Sequence, residues 1–358
     1  MSRKNLNSKK KIIFRCDGAT LPEIGSGHVI RDIVIANKLV EDKICNLSEI
    51  SFVIRRNGVF SLGEKLVLKS GYRIEKTKDE ELQWNSNKEL EILADLNPAI
   101  LFIDRLSTEL DWMSCLKKKL KYIISMDDVG PGSYNANLAI NPILFNFSDS
   151  DNRLHGYDYL TLKPLEKKLL KSQSKKSGLI VASFGGYDHR NLTGFFLEAL
   201  RKNEFSKERH QLIEILVGDE DSSLIDKWKI AAKEISLKNG IDVSVIVRPE
   251  DFIERLAIAD FAVLSGGLSI FDAVSLGIPS IGLPQYQHQL QTLKNLNDQC
   301  VIFLGSNDMD LDLKYFNNVF DHVLRAENEK LMMSNKGPTL IDRKGVDRVS
   351  SVIADILK

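Results

Sequence analysis

The chain has 358 residues, of which 43% are hydrophobic and 27% are charged, values that are normal for a globular protein. This length exceeds one ordinary domain and suits two. Lys plus Arg and Asp plus Glu both number 49, so the formal net charge is zero. We therefore expect no chain-wide attraction to nucleic acid or to an anionic membrane surface.

The four cysteines, Cys16, Cys45, Cys115 and Cys300, form no CxxC pair, and each stands beside apolar residues. We expect four buried free thiols and no metal or redox motif. The basic start of the chain does not match a signal peptide, and no apolar stretch reaches the roughly 20 residues that span a bilayer. These features predict a cytoplasmic protein without an integral membrane segment.

Short apolar runs alternate with segments of helical period in the first half of the chain. Strands are predicted at 11–16, 50–54, 72–75, 99–104, 121–126 and 137–141, and helices at 28–40, 87–95 and 107–119. This alternation is typical of a parallel sheet with helices on both faces.

A break in this pattern predicts the domain boundary. Residues 145–158 are polar and rich in turn formers, and residues 164–177 are rich in lysine. We predict a first domain at 1–165 and a linker at 166–177. The lysine run is also typical of a solvated surface face.

The second half restarts the alternation and predicts a second domain at 178–340, followed by a C-terminal helix within 341–358. Strands are predicted at 178–183, 211–217, 241–247, 260–264, 279–282 and 300–303, and helices at 190–201, 222–237, 250–258, 268–276, 287–296 and 345–357. Two doubly wound sheets in tandem predict a ligand cleft at the carboxyl ends of their strands.

A glycine loop follows the first predicted strand and ends in Gly25-Ser26-Gly27-His28, where a helix begins. Glycines at such a turn let a ligand approach the backbone, and the helix N-terminus favours phosphate. The loop is neither the GxGxxG fingerprint nor a P-loop, because no Gly-Lys-Ser/Thr follows. We predict that Gly25 and Gly27 contact the substrate.

His28 and Asp17 are the catalytic candidates. The positive helix end keeps the imidazole of His28 neutral, as a general base requires, although a histidine here can also cap or pack locally. Asp17 ends the first strand and either orients His28 or binds substrate. Arg31, one turn further along, either meets a phosphate or lies at the surface, while Arg15 is interpreted as structural.

Two more glycine turns follow predicted strands of the second domain. One contains Gly185-Gly186 and the other Ser265-Gly266-Gly267, and together they offer backbone donors suited to a diphosphate, although glycine is also common in ordinary turns. Asp272, one turn into the next helix, is placed to accept both ribose hydroxyls. Gln287-His288-Gln289 opens a further helix near the same edge, where His288 either contacts the ligand or faces solvent.

These segments together resemble the pseudaminic-acid pathway hydrolase family, including the SpsG-like proteins of spore-coat polysaccharide synthesis, which is related to the GT-B and MurG-type glycosyltransferases. The family motif R-x-D, then I-G-x-G-H-x-x-R, matches Arg15-Cys16-Asp17 and the segment from Ile24 to Arg31. Further matches follow in order over nearly the whole chain: Asp127-Asp128, Asn141, Ser183 to Thr193, Ser265 to Pro279, and Asp342 to Val349.

The resemblance implies an α/β fold of GT-B type, with two doubly wound Rossmann-like domains facing a central cleft. UDP would lie mainly on the second domain, around Gly185 and the segment from Ser265 to Asp272. His28 would activate water for attack at the anomeric carbon of a UDP-linked diacetamido-trideoxy sugar. The partner would be this small-molecule substrate, and no metal or other cofactor is implied. The sequence does not indicate an oligomeric state.

Three departures from the family pattern leave the activity open. Asp272 stands where Glu is usual, Gln287-His288-Gln289 is closer to the transferase relatives, and Asp104-Arg105 replaces a different pair. We therefore keep three hypotheses: a UDP-sugar hydrolase, a GT-B glycosyltransferase whose base deprotonates an acceptor hydroxyl, and a non-catalytic nucleotide-sugar binder.

Overall fold

The computed structural model of the protein describes residues 11–21, 24–143, 152–165, 178–202, 212–218 and 221–358. The chain divides into two compact units: the first unit comprises residues 1–163 and 343–358, and the second unit comprises residues 164–342. The predicted linker, residues 166–177, lies outside the described residues.

A parallel sheet of seven strands forms the centre of the first unit, as far as its residues are described. Its strands are β1 (Ile12–Arg15), β2 (Ile50–Val53), β3 (Arg73–Ile74), β4 (Ile100–Asp104), β5 (Ile123–Met126), β6 (Leu138–Asn141) and β7 (Arg153–His155). The spatial order is β3-β2-β1-β4-β5-β6-β7, and every pairing is parallel. The chain order therefore reverses between β1 and β4, the position where ligands bind in such sheets.

In the described residues between β1 and β5, the helices are α1 (Gly27–Glu41), α2 (Ser61–Lys69), α3 (Asn87–Leu96) and α4 (Leu110–Lys117). Strands β1 and β4 at the centre are fully buried because helices cover the sheet, and their apolar runs reflect this burial, whereas the edge strands β3 and β7 are partly exposed. Phe14, Phe52 and Phe102 occupy one register across the three central strands, with ring centroids 5.2 and 5.1 Å apart. This aromatic row fixes the strands that carry the reversal point.

The second unit repeats the design with a six-stranded parallel sheet in the described residues. Its strands are β8 (Leu179–Ser183), β9 (Leu212–Val217), β10 (Asp242–Val247), β11 (Phe261–Ser265), β12 (Ser280–Leu283) and β13 (Phe303–Leu304). Its helices are α5 (Leu192–Lys202), α6 (Ser222–Asn239), α7 (Phe252–Ala257), α8 (Leu268–Ser275), α9 (Gln287–Asp298), α10 (Leu313–Arg325) and α11 (Glu327–Leu340). The order β10-β9-β8-β11-β12-β13 reverses between β8 and β11.

The last helix, α12 (Gly345–Ile356), belongs to the first unit. It packs on α1, where the ammonium of Lys38 lies 3.0 Å from Asp42 and 2.9 Å from Asp347. The Oγ of Ser350 donates to Asp42 over 3.1 Å. The C-terminal segment therefore completes the core of the unit that begins the chain.

Several elements were not predicted from the sequence: α2, β7, α10 and α11. The segment before Tyr157 was interpreted as turns, yet β7 extends the first sheet there. Helix α11 runs through Gly337 and Pro338, a pair that usually ends a helix. Gly337 is required because a Cβ there would lie 2.3 Å from the carbonyl oxygen of Val274. No helix in the described ranges is long and apolar enough to cross a membrane.

The expectation of four buried thiols is only half right. All four cysteines are free, and Cys16 and Cys45 are buried, but Cys115 and Cys300 are exposed. Cys115 lies on the outer face of α4, whose inner face buries Trp112, Met113 and Leu116. Within the described residues, no group of three or more His, Cys, Asp or Glu side chains is arranged to hold a metal ion.

Candidate functional site

His28 lies in the first turn of α1, at the point where the chain order of the first sheet reverses. Its Nδ1 is 2.6 Å from Oδ1 of Asp104, the last residue of β4. The two residues are 76 positions apart, and they meet because β1, which leads into α1, pairs directly with β4. The histidine is 9% exposed, so part of the ring remains accessible while Nδ1 is engaged.

Arg31 holds the same carboxylate from one turn further along α1. Its Nε donates to Oδ2 of Asp104 over 2.8 Å, and its Nη2 donates to Oδ1 over 2.6 Å. Nη1 donates to Asp127, which follows β5, over 3.0 Å. Arg31 is only 3% exposed, so the alternative of a surface residue is wrong. Its guanidinium orients Asp104, and a role in substrate binding stays a prediction.

Asp104 is an ionised acceptor beside the ring of His28. Burial alone would raise the pKa of Asp104, but the charge of Arg31 and the hydrogen bonds from His28 and Arg31 outweigh it and lower the pKa to about 2. Asp104 is therefore ionised at neutral pH and only accepts hydrogen bonds. In the tautomer with a proton on Nδ1, His28 donates to this carboxylate and carries its lone pair on Nε2.

Asp17 is buried and faces other partners. Its Oδ1 accepts from Arg15 over 2.9 Å and from the backbone N–H of Arg55 over 2.8 Å. Its Oδ2 accepts from Nε of Arg55 over 2.9 Å and from the indole N–H of Trp84 over 2.7 Å. Burial opposes ionisation, but Arg15 and Arg55 together lower the pKa of Asp17. Of the two roles considered for Asp17, the orientation of His28 belongs instead to the carboxylate that ends β4.

A buried charge network lies next to Asp17. Glu89, on α3, accepts from Nε of Arg15 over 2.6 Å and from Nη2 of Arg105 over 2.7 Å. All three side chains are at most 1% exposed, and the two guanidinium groups lower the pKa of Glu89 against the effect of burial. The network ties α3 to the ends of β1 and β4, which agrees with the structural interpretation of Arg15.

Gly25 and Gly27 leave open space at the start of α1. A Cβ added at either glycine would meet no atom of the described residues within 4 Å, and Gly25 has a φ of +55°. Ser26 precedes the helix, and its side chain makes no capping hydrogen bond in the described structure. The start of α1 is therefore not capped by the side chain of Ser26, and uncapped helix N-termini are suited to anionic groups.

The two glycine turns of the second unit meet at its own reversal point, between β8 and β11. Gly185 has a φ of +95°, a conformation that strains any other residue. A Cβ there would lie 3.9 Å from Oγ of Ser265 and 3.4 Å from Nε2 of Gln285. Gly186 is exposed, and among the parts of the chain that the structure describes no atom lies within 4 Å of a Cβ placed on it. This edge presents backbone rather than side chains.

Gln285 and Gln289, at the start of α9, contact both glycine turns. Nε2 of Gln285 donates to the carbonyl oxygen of Phe184, and the backbone N–H of Gln285 donates to Oε1 of Gln289 over 3.0 Å. Gln289 also packs on Gly266, because a Cβ added to Gly266 would lie only 2.8 Å from the Cβ of Gln289. Gly267, the N-cap of α8, lies beside the amide of Gln289. The structure thus brings together Gly185, Gly186, Ser265, Gly266, Gly267 and Gln289.

Asp272, Gln287 and His288 lie on the helices that begin at this edge. Asp272 is half-buried in the second turn of α8, and Gln287 and His288 are exposed in the first turn of α9. The rings of Tyr286 and His288 stack with centroids 5.6 Å apart. Contact of these residues with a ligand stays a prediction.

Sequence reasoning missed two residues that the structure places at these edges. Asp104 was noted only as a departure from a motif, although its position at the end of an apolar run is a signal for a group at a sheet edge. Gln285 was not singled out, although it joins the glycine turns. Both assignments require knowledge of the strand order, which a single sequence does not reveal.

No protein-family profile matches the chain. It is 28% identical over 306 residues to the uncharacterized protein MJ1062 of Methanocaldococcus jannaschii, covering 78% of this chain and 56% of that protein. It is 24% identical over 204 residues to the spore coat polysaccharide biosynthesis protein SpsG of Bacillus subtilis, covering 56% of this chain and 58% of that protein. The matches thus span less than two thirds of either relative.

Solved structures with the same architecture cover almost the whole chain. MurG from Acinetobacter baumannii matches with a TM-score of 0.69 at 13% identity, covering 97% of this chain and 99% of that one. HepE from Anabaena, in complex with UDP and glucose, matches with a TM-score of 0.58 at 10% identity, covering 97% of this chain and 99% of that one. A UDP-N-acetylglucosamine 2-epimerase matches with a TM-score of 0.57 at 13% identity, covering 95% of this chain and 94% of that one. The chain therefore has the predicted GT-B fold class, built from two Rossmann-like units.

Proposed function

We propose that the protein is a GT-B-type enzyme that transfers a sugar from a UDP-linked donor to an acceptor hydroxyl group. The observation that carries the proposal is the His28–Asp104 pair at 2.6 Å, beside the open glycine start of α1. A neutral imidazole with its Nδ1–H held by a carboxylate is a general base for a hydroxyl group.

In the proposed reaction, Nε2 of His28 accepts the proton of the acceptor hydroxyl as its oxygen attacks the anomeric carbon. The bond between that carbon and the phosphate oxygen breaks, and its electron pair leaves with UDP. Asp104 stabilises the imidazolium that forms, and Arg31 keeps the carboxylate in place. General base catalysis of this kind contributes about 100- to 10,000-fold to a rate.

The second unit would bind the nucleotide part of the donor. Backbone N–H groups at Gly185 and Gly186 lie on a turn, and those at the start of α8 lie at a helix N-terminus, and both kinds of donor are suited to a diphosphate. The carboxylate of Asp272 would accept the ribose hydroxyls. Developing negative charge on the leaving UDP would be stabilised by the same N–H groups.

The similar proteins support the substrate class. HepE is solved with UDP and glucose, MurG shares the fold over almost the whole chain, and SpsG is a polysaccharide biosynthesis protein by name. The fold also hosts a UDP-sugar epimerase, so the fold alone does not select the reaction.

Hydrolysis is the second candidate, and the G-x-G-H-x-x-R segment from Gly25 to Arg31 favours it. Water would replace the acceptor hydroxyl, and the products would be UDP and the free sugar. The substrate that the resemblance implies is a UDP-linked diacetamido-trideoxy sugar, used for pseudaminic acid or a surface polysaccharide. The same base serves both reactions, so only the product separates them.

The test is to incubate the protein with UDP-N-acetylglucosamine and with the UDP-diacetamido-trideoxy sugar, with and without hydroxyl acceptors, and to identify products by mass spectrometry. UDP release that requires an acceptor supports transfer, and release with free sugar supports hydrolysis. His28→Ala should lower kcat about 100- to 10,000-fold, whereas the exposed His322→Ala should not change it. Unchanged turnover in His28→Ala would contradict the proposal. UDP binding without turnover of either donor would favour the non-catalytic binder.

A further inference from the structure

Asp32 is a buried carboxyl group that the proposed mechanism does not yet use. It lies four residues after His28 on α1, so both side chains are on one face of the helix. Asp32 is 0% exposed, and in the described residues no N–H or hydroxyl group donates to its oxygens, which leaves the thiol of Cys16, a weak donor, as its neighbouring donor. Buried polar groups are almost always hydrogen-bonded, so this group needs a physical explanation.

The neighbours of Asp32 make a second carboxylate unfavourable. It faces Asp104, the thiol of Cys16 at the end of β1, and the guanidinium of Arg31. Two carboxylates side by side in a buried place do not both ionise. Asp104 keeps the charge because it already receives three hydrogen bonds from His28 and Arg31.

The proton therefore resides on Asp32. Burial raises the pKa of Asp32 well above its usual value, and the charge of Asp104 raises it further. Burial and the nearby carboxylates also raise the pKa of Cys16, which stays a thiol and is only a weak donor.

We propose that Asp32 is a positioning residue, a neutral carboxylic acid that donates its proton to Asp104 and so fixes the carboxylate that orients His28. The proton stays on Asp32 throughout, and no bond is broken in this step. Asp104 is then held by Arg31, His28 and Asp32 together. The role rests on the proposed function of His28 as base, whereas the protonation of Asp32 does not.

Infrared spectroscopy tests the protonation without any substrate. The difference spectrum between the wild type and Asp32→Asn at neutral pH should contain the C=O band of one protonated carboxyl group. Asp127→Asn is the control, because it removes a carboxylate that accepts a hydrogen bond from Arg31. The spectrum of this variant should still contain the C=O band of the protonated carboxyl group. A difference spectrum with only a carboxylate band would show that Asp32 is ionised and would overturn the proposal.

Kinetics test the positioning role. Asp32→Asn keeps an N–H donor toward Asp104 and should retain kcat within about threefold, whereas Asp32→Leu should lose about 10- to 100-fold in kcat with KM unchanged. Circular dichroism confirms that both variants are folded. Equal losses in the two variants, or no loss in Asp32→Leu, would overturn the positioning role. If the wild type turns over no donor, the proposed function fails, while the infrared result still decides the protonation.

Discussion

The reversal points of the two sheets carry opposite kinds of residue. In the first unit, the edge between β1 and β4 is filled by ionisable side chains, with His28, Arg31, Asp32 and Asp104 all at most 9% exposed. In the second unit, the edge between β8 and β11 is lined by Ser265 and by the glycines of two turns. The same topology thus presents side-chain chemistry in one unit and bare backbone in the other.

This difference shows that the topology of a doubly wound sheet determines where a ligand site forms, whereas the residues at that site determine its chemistry. Ionisable side chains can hold and move a proton, but once buried they need partners, which the first unit provides through Arg31 and Glu89. Glycine turns move no proton, but they let a diphosphate reach backbone N–H groups. We infer a division of labour, with proton transfer in the first unit and nucleotide binding in the second.

The largest expected effect on stability comes from breaking the charge network of the first unit. Glu89→Gln leaves the buried guanidinium groups of Arg15 and Arg105 without their shared carboxylate. We expect a loss of about 3–5 kcal/mol in the free energy of unfolding, measured by chemical denaturation. Glu91→Gln, an exposed change on the same helix, should have little effect. Equal stability of both variants would contradict the account of the network.

The next effect is a change in acid stability. The pKa of Asp104 is lowered to about 2 in the folded protein, so its charge stabilises the fold above pH of about 4, and this contribution is lost as the pH falls toward 2. Asp104→Asn should remove roughly 2 kcal/mol at pH 6 and much less near pH 2, measured by denaturation at each pH. The exposed Asp111→Asn serves as control. A loss that does not depend on pH would contradict this reasoning.

Neighbouring glycines of the second unit should differ in their tolerance of a methyl group. Gly185→Ala places a side chain at a φ of +95° and should cost about 1–3 kcal/mol of stability. Gly186→Ala adds its Cβ to open space, so thermal unfolding should be nearly unchanged. If Gly186→Ala unfolded as readily as Gly185→Ala, the open edge would not exist as described.

The smallest effect is expected at the start of α1. Gly27→Ala adds a Cβ in open space at the first helical residue and restricts the unfolded chain. We expect stability to rise by about 0.4–1 kcal/mol. A fall in stability would mean that this space is occupied by the protein itself.

Much of the fold is predictable from local pattern, because apolar runs and glycine turns are short-range signals. The order of β1 and α1, with His28 in the first helical turn, follows from the segment after Asp17. Helix α11 was missed because Gly337 and Pro338 suggest a helix end, whereas packing against Val274 keeps the helix intact. Tertiary contact outweighs local preference there.

The partners within the candidate site are much less predictable. The contact between His28 and Asp104 depends on β1 pairing with β4 across more than 70 positions, and no local pattern encodes it. Asp17, the nearer carboxylate, was therefore the natural partner to expect for His28, yet Arg15 and Arg55 bind it instead. The burial of Asp32 is likewise a property of the packed unit.

The division of labour is tested most directly by isothermal titration of UDP into the wild type, His28→Ala and Gly186→Ala. The account predicts that His28→Ala binds UDP as tightly as the wild type, because the nucleotide contacts that we propose lie in the second unit. Gly186→Ala should bind UDP about tenfold more weakly, a change of about 1.4 kcal/mol, because its methyl group occupies the place of the diphosphate. UDP affinity that falls in His28→Ala and is unchanged in Gly186→Ala would contradict the central claim.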